Sequence, residues 1–323
     1  MPKIHCLTVG QGDCTLIQHG SGRVSMIDIC GGNSEDEDIE LLIRSILEDV
    51  KGNFRMCNSP TNPLKYLKEN GFTEIWRYIS THPDMDHLDG FNALMNQFSV
   101  YNFWDQGARK EKPNFCGTPY REEDWDRYVK VRDGREDGTQ VIKVQQGSTL
   151  KFANEDDQAG HGDCITICAP SSRLVEQCNQ AQSFNDASYI ISYNANGGKV
   201  VLAGDADDNA WQCAIDRYPN LLRNVGFLLA PHHGRDSGRD RSFLSHLNPR
   251  FTLLECAPSK YLAYDAWRNR SLAYCTQNQC GNLVVDANGD DLRIYIENED
   301  FANKEGGDVK NTNEQGYFLL GNF

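Results

Sequence analysis

The chain contains no long apolar segment, which separates it at once from common membrane proteins. No window of its 323 residues approaches the ~20 consecutive apolar residues that a membrane-spanning helix needs. Residues 1–6 lead directly into a strand-like pattern and lack the basic start, apolar stretch and cleavage site of a secretory signal. We therefore expect a cytoplasmic protein that makes no use of a membrane.

Twelve cysteines are present, but the patterns that would give them a special role are missing. The close pairs Cys164/Cys168 and Cys275/Cys280 come without the second pair of ligands that a zinc ribbon requires. A chain of this length can build its own core, so we expect reduced, mostly buried thiols. Five cysteines lie inside or beside apolar, strand-like runs: Cys6, Cys14, Cys30, Cys164 and Cys168.

Positive charge is also scarce. The 32 basic residues face 46 acidic ones, which gives a formal net charge of −14. This balance argues against an extended nucleic-acid surface, because phosphate neutralisation by Lys and Arg supplies most non-specific affinity. Segment 235–270 is the exception, with seven basic residues against four acidic ones. A local positive rim there would suit an anionic substrate, although a solvated helix face explains it equally well.

The segment with the densest group of candidate metal ligands follows the apolar run 75–79. It reads Thr81-His82-Pro83-Asp84-Met85-Asp86-His87-Leu88-Asp89-Gly90. Carboxylates crowded into so small a volume repel each other unless a cation lies between them. Two later apolar runs also end in such residues, namely Gly204-Asp205 after 200–203 and His232-His233-Gly234 after 227–231. We expect the ends of these three strands to meet at a metal site.

Three further motifs occur along the chain, in this order: V-G-Q-G-D at 9–13, I-D-I-C-G-G at 27–32 and N-D-A-S at 185–188. With the His/Asp motifs, they resemble the metallo-β-lactamase fold, specifically the ComEC-like branch typified by the hydrolase domain of a DNA-uptake protein. The resemblance covers residue 3 to about residue 290. It implies a four-layer αββα sandwich, which we expect as one domain over 1–323 with a charged insertion at 105–138.

The resemblance also implies a set of metal ligands. Site one would be held by His82 and Asp84, site two by Asp86 and His87, with Asp205 bridging and His232 or His233 completing site two. Asn185 occupies the position of a third site-one histidine and offers only a weak amide oxygen, so site one should bind more loosely. Asp13 and Asp28 are expected to hydrogen-bond the ligand imidazoles. His161, in a turn, is interpreted as structural.

Imidazole and carboxylate ligands suit Zn or Mn, as one or two ions. A metal-activated water would attack the substrate, and whichever of the paired histidines is not a ligand would serve as general acid. The residues expected to carry catalysis are Asp86, His232 and His233, and those expected to bind substrate are Arg235, Ser237 and Arg239.

These expectations favour a phosphodiesterase or nuclease acting on a nucleic acid or nucleotide. One alternative is a small-molecule hydrolase for a thioester, lactone or β-lactam-like carbonyl. Another is an effector or interaction subunit of a larger complex, for example one in defence, which would dock a protein partner through 105–138. That segment is highly charged with interleaved aromatics, and a solvated excursion over one sheet edge explains it as well.

The pattern of apolar residues predicts the elements that precede and follow the motifs. Helices are expected at 39–50 and 63–70. Strands are expected at 3–9, 14–18, 24–29, 72–80, 141–153, 165–170, 189–193 and 199–203.

Overall fold

The structure is a computed structural model, and it describes residues 2–33, 54–154 and 162–323. The helix expected at 39–50 and His161 lie outside the described residues. The strands are β1 Lys3–Cys6, β2 Thr15–Gln18, β3 Val24–Ile27, β4 Glu74–Ile79, β5 Ser99–Asp105, β6 Gln140–Lys143, β7 Ile165–Ala169, β8 Ile190–Ala195, β9 Gly198–Leu202, β10 Phe227–Leu229, β11 Phe251–Leu254, β12 Tyr274–Thr276, β13 Leu283–Asp286, β14 Arg293–Ile296, β15 Asp308–Thr312 and β16 Phe318–Asn322.

The described helices connect these strands. They are α1 Pro63–Glu69, α2 Phe91–Gln97, α3 Glu122–Arg132, α4 Ser172–Ala181, α5 Asp208–Arg217, α6 Phe243–Leu247, α7 Tyr264–Arg268, α8 Gln277–Cys280 and α9 Glu299–Lys304. Helix α1 begins where the sequence predicts it, because the Asn62 side chain accepts hydrogen bonds from the backbone N–H groups of Leu64 and Lys65.

The strands form two mixed sheets. The larger has the order β15-β16-β14-β13-β1-β2-β3-β4-β5-β6 and the smaller the order β12-β11-β10-β9-β8-β7. Strands β3 to β6 run parallel, as do β9 to β12. The carboxyl ends of parallel strands meet at one edge of a sheet, so the loops after β3, β4, β9, β10 and β11 are brought together.

Three apolar clusters separate four layers. The central cluster joins the inner faces of both sheets, the second joins the large sheet to α1, α2 and α3, and the third joins the small sheet to α5, α6 and α7. Strand β9 shows how one strand serves two clusters: Val200 and Leu202 belong to the central one and Val201 to the outer one. The predicted αββα sandwich is confirmed.

The highly charged segment 105–138 is built into this sandwich. Strands β5 and β6 are parallel neighbours at the edge of the large sheet, and α3 is the crossover between them. Trp125, Tyr128 and Val131 of α3 are buried in the second cluster. The segment is therefore part of the outer helical layer, and its interpretation as a wholly solvated excursion is wrong.

Three further expectations need correction. Cys57 and Cys256 form a disulfide across 199 residues, so the prediction that all thiols are reduced is wrong for this pair; only the fold brings them together. Cys164 is exposed rather than buried. The strand expected at 141–153 ends at Lys143, because the chain turns at Gly147, whose φ is +79°.

In the described part of the chain, no helix is long and apolar enough to cross a bilayer.

Replacing Phe227 by alanine should destabilise the central cluster. The Phe227 side chain is fully buried between the sheets and stacks on Phe251. We expect the variant to lose about 3–5 kcal/mol of unfolding free energy, measured by urea titration, since the cavity left in the core cannot fully collapse. Asp290→Ala, at an exposed turn, should change stability by less than about 0.5 kcal/mol. Equal midpoints for the two variants would contradict the two-sheet core.

Candidate metal centre

A cluster of histidines and carboxylates lies where the carboxyl ends of the strands meet. His82 and the 3₁₀ turn Met85–His87 follow β4, Asp205 follows β9, and the 3₁₀ turn Pro231–Gly234 follows β10. Asp13 enters from the β1–β2 loop and Asp28 from the end of β3. Several combinations of three have ligand atoms within 4.8 Å of one another, for example His82, His87 and Asp205, or Asp86, His87 and His233.

The carboxylate of Asp205 lies between two halves of this cluster. Its Oδ1 is 3.4 Å from His87 Nε2 and 3.8 Å from His233 Nε2. Its Oδ2 is 3.5 Å from His232 Nε2 and 4.0 Å from His82 Nε2. One carboxylate therefore faces two groups of imidazoles with different oxygens, which is the arrangement that a bridging ligand requires.

Two aspartates extend the two halves. Asp86 Oδ2 is 3.6 Å from His233 Nε2 and 3.9 Å from His87 Nε2, whereas Asp84 Oδ2 is 3.7 Å from His82 Nε2. We call the group Asp86, His87 and His233 the inner half and the group His82, Asp84 and His232 the outer half. The paired histidines thus point to different halves, a division that the sequence left open.

Asn185 does not join the cluster through a side-chain hydrogen bond within the described residues. It lies in the 3₁₀ turn Asn185–Ala187, where its backbone oxygen accepts a hydrogen bond from Ser188 N. His232, rather than Asn185, supplies the additional donor of the outer half. Sequence spacing alone could not show this, because the direction of His232 depends on its backbone conformation.

The backbone of the paired histidines is unusual. His232 and His233 have φ values of 53° and 56°, so two consecutive side-chain-bearing residues adopt the left-handed conformation. Such strain persists where surrounding contacts enforce it. Here His232 N donates to Gly204 O at 2.9 Å, and Gly204 itself packs so tightly that a Cβ would lie 2.8 Å from Thr81. The loops after β4, β9 and β10 are therefore locked together by backbone contacts.

Two carboxylates behind the cluster orient its imidazoles. Asp28 accepts hydrogen bonds from His87 Nδ1 at 2.8 Å and from Thr81 N at 2.8 Å. Asp13 Oδ1 lies 2.9 Å from His233 Nδ1. The Nδ1 atoms of both histidines thus face carboxylates, which leaves the Nε2 atoms facing the cluster.

The donor atoms of the cluster fit a metal ion. The Nε2 atoms of His82, His87 and His233 and Oδ1 of Asp205 are buried and have no hydrogen-bond partner in the described part of the chain. A buried polar atom that lacks a partner costs free energy, and a cation in the group of His87, His233 and Asp205 would satisfy three of these atoms. Imidazole nitrogen together with carboxylate oxygen is a donor set for ions such as Zn²⁺ or Mn²⁺.

Burial and the neighbouring carboxylates shift the pKa values of the imidazoles in opposite directions. Burial lowers the pKa of His87, but the carboxylates of Asp28, Asp86 and Asp205 outweigh burial and raise that pKa well above its usual value. For His232, burial dominates and lowers the pKa to about 4. The carboxylates of the inner half therefore favour positive charge at that place.

The sequence reasoning missed Glu255. This residue is buried, follows β11, and places Oε2 3.5 Å from His233 Nδ1. Burial and the nearby Asp13 raise the pKa of the Glu255 carboxyl well above its usual value. The signal was present, because Glu255 is an acidic residue directly after the buried strand β11, much as Asp205 follows the buried end of β9.

A cleft of about 410 Å³ opens beside His232. Arg235 and Ser237, which the sequence analysis predicts to bind substrate, line it, and Lys260 and Tyr261 form another part of its wall. Ser237 Oγ lies 3.5 Å from His232 Nδ1. The cleft and the outer half of the cluster are therefore contiguous.

Arg239, the third residue predicted to bind substrate, makes its contacts within the protein. Its side chain is only 6% exposed; Nη1 donates to the backbone oxygen of Asp205 at 3.1 Å, and Nε lies 3.2 Å from Asp207 Oδ1. These contacts hold the loop that carries Asp205. Arg239 is a positioning residue, because its guanidinium is used within the protein.

Comparisons with known proteins found solved structures of similar shape at low sequence identity. No family model matches this chain, and no curated protein matches it. Tm1679, a metal-dependent hydrolase of the β-lactamase superfamily, aligns with a TM-score of 0.49 at 12% identity, covering 90% of this chain and 100% of Tm1679. The metallo-β-lactamase fold protein YhfI from Bacillus subtilis gives 0.46 at 12% identity, covering 88% and 100%. A diphosphatase from the PhnP family gives 0.45 at 12% identity, covering 88% and 98%. Similarity at this level carries no inference about substrate, and the αββα assignment stands on the chain's own layers.

Asp28→Asn should weaken metal binding while leaving every cluster residue in place. An amide accepts less strongly from His87 Nδ1, so the imidazole loses both its orientation and part of its basicity. We expect metal affinity to fall about 10–100-fold, measured by competition with a chromophoric chelator. Asp216→Asn, exposed on α5, serves as the control. Wild-type affinity in Asp28→Asn would show that Asp28 does not support a ligand.

Proposed function

We propose that the protein is a metal-dependent hydrolase that cleaves phosphodiester bonds in a nucleotide or short nucleic acid. The observation that carries the proposal is the contact between the buried His/Asp cluster and a cleft that contains Arg235 and Lys260. An anionic group bound by these cations would lie next to His232 and therefore next to the cluster.

We assign the metal-facing atoms from their positions. Asp86, His87 and His233, together with Asp205, would hold a divalent ion, and His82, Asp84 and His232 present further donor atoms on the other side of Asp205. A divalent ion there, such as Zn²⁺ or Mn²⁺, supplies Lewis acidity and lowers the pKa of a water molecule towards about 7. Asp13 and Asp28 keep the inner imidazoles oriented throughout the reaction.

The remaining steps depend on the protein's own groups. Arg235 would bind a phosphate oxygen through its guanidinium, and Ser237, which lies beside His232, would donate its hydroxyl to a second oxygen. Arg239 keeps Asp205 in place through the backbone. We place His232 among the ligands rather than as general acid, because its Nε2 faces Asp205 Oδ2.

The size of the cleft supports a short substrate. A volume of about 410 Å³ is typical of small-molecule sites. The formal net charge of −14 opposes binding of a long polyanion elsewhere on the surface. Both facts favour recognition of one or a few nucleotide units at a time.

A small-molecule hydrolase acting on a neutral thioester or lactone is the second candidate. It is favoured by Tyr261 and Pro258, which give the cleft an apolar wall, and Tyr261 is half exposed. A role as interaction subunit that docks a protein through 105–138 stays a prediction of the sequence.

Charge reversal at Arg235 should separate the two candidate activities. Arg235→Glu should raise KM for bis-p-nitrophenyl phosphate by at least about tenfold and change kcat little, because the guanidinium holds ground state and transition state alike. Hydrolysis of p-nitrophenyl acetate should not respond.

The matched control is Arg250→Glu. Arg250 belongs to the same basic stretch but is not among the residues that line the cleft. Rapid turnover of a neutral ester or lactone, with no phosphodiester cleavage in wild-type protein, would select the second candidate.

Binding of a short single-stranded oligonucleotide should weaken with salt. The logarithmic slope should correspond to about one to three phosphate contacts, because basic residues are concentrated at one cleft. Fluorescence anisotropy at several NaCl concentrations would measure it. A slope corresponding to about six or more contacts would contradict a short binding site.

A further inference from the structure

Lys110 brings a positive charge to the outer half of the cluster. Its Nζ lies 2.7 Å from Asp84 Oδ1, and it is carried by the charged segment between β5 and α3. The sequence motifs gave no indication of this contact, because Lys110 lies 26 residues from Asp84. No part of the proposed reaction uses it.

We propose that Lys110 replaces the second metal ion: it neutralises Asp84, so the centre takes one divalent ion in its inner half. The inference rests on the proposed metal-dependent function and specifies the composition of its centre. The observation behind it is that Lys110, whose neighbours in the chain are held by hydrogen bonds, lies next to Asp84 in the outer half of the cluster.

The backbone around Lys110 is fixed from both sides. Arg109 N donates to Asn179 Oδ1 at 2.6 Å, and Glu111 N donates to Gln182 Oε1 at 3.0 Å. The same Gln182 side chain donates through Nε2 to Arg109 O at 3.3 Å. The end of α4 therefore holds both neighbours of Lys110, so the fold bears the backbone part of the entropy cost of placing the ammonium.

The two halves of the cluster differ in the charge that meets them. In the described residues, no lysine or arginine lies within ion-pair distance of Asp86, whose carboxylate faces the imidazoles of His87 and His233. Asp84 instead shares its carboxylate between His82 and Lys110. A divalent ion at Asp84 would have to displace or tolerate an ammonium group at contact distance.

The groups that face the Nδ1 atoms of the histidines also differ between the two halves. The Nδ1 atoms of His87 and His233 face the carboxylates of Asp28 and Asp13, which raise the basicity of those imidazoles. His82 Nδ1 lies 3.1 Å from a hydroxyl, Thr81 Oγ1. The inner half is thus the stronger metal site, because no lysine or arginine of the described residues pairs with its aspartate and because carboxylates face the Nδ1 atoms of its histidines.

Metal content tests the proposal directly, without an activity assay. Wild-type protein saturated with Mn²⁺ or Zn²⁺ and then dialysed should retain one equivalent by elemental analysis. Lys110→Met keeps the length of the side chain and removes its charge, so it should bind a second equivalent. By calorimetry, its affinity for that ion should exceed the wild-type value by about tenfold or more.

Three further variants sharpen the comparison. Lys110→Arg keeps the charge and should retain one ion. Gln182→Ala loosens the backbone around Lys110 and should shift stoichiometry in the same direction as Lys110→Met. Lys112→Met is the matched control, because Lys112 lies on the same segment but pairs with Glu122 and Asp126 instead of the cluster.

The outcomes separate this inference from the proposed function. Two equally tight ions in wild type, or one ion in Lys110→Met with unchanged circular dichroism, would overturn the role of Lys110 and leave the metal centre intact. Absence of bound metal in wild type and variants alike would overturn the proposed metal-dependent function itself.

Discussion

The structure is organised around the electrostatic cost of burying several carboxylates in one place. Asp13, Asp28 and Asp205 are each almost fully buried, and they lie around the same imidazoles. Like charges this close are tolerated only where opposite charge is interleaved with them. The imidazoles of His87 and His233 lie among these carboxylates, and a divalent cation would supply positive charge there in the proposed enzyme.

This constraint explains why several residues at the centre have unusual backbone conformations. Asp28 has φ of +55°, and two consecutive histidines, His232 and His233, share the left-handed conformation. Each of these conformations costs free energy that ordinary loops avoid. They persist because the loops after β3, β4, β9 and β10 meet at one edge of the sandwich and hydrogen-bond to one another. The αββα frame thus stabilises a site that no single loop could form.

Cations from two distant parts of the chain complete the arrangement, and each does so differently. Arg239 is buried and acts through the backbone of Asp205, whereas Lys110 acts directly on the carboxylate of Asp84. The charged segment 105–138 therefore belongs to the site as well as to the helical layer. If Lys110 replaces one metal ion, the charge of the centre is set by the crossover between β5 and β6.

The motifs, through the family resemblance that they carry, predicted the architecture and most of the residues that the structure brings together at the cluster, because strand-end residues in parallel sheets converge at one edge. They placed His82, Asp86 and His87 after one strand and Asp205 after another, and the structure brings these together. Which half each of His232 and His233 faces was decided by backbone conformation at 231–234. The burial of Arg239, the approach of Lys110 to Asp84, the position of Glu255 and the Cys57–Cys256 disulfide all depend on contacts between residues far apart in the chain. Such contacts are fixed only when the layers pack, because no local pattern specifies how a distant loop approaches.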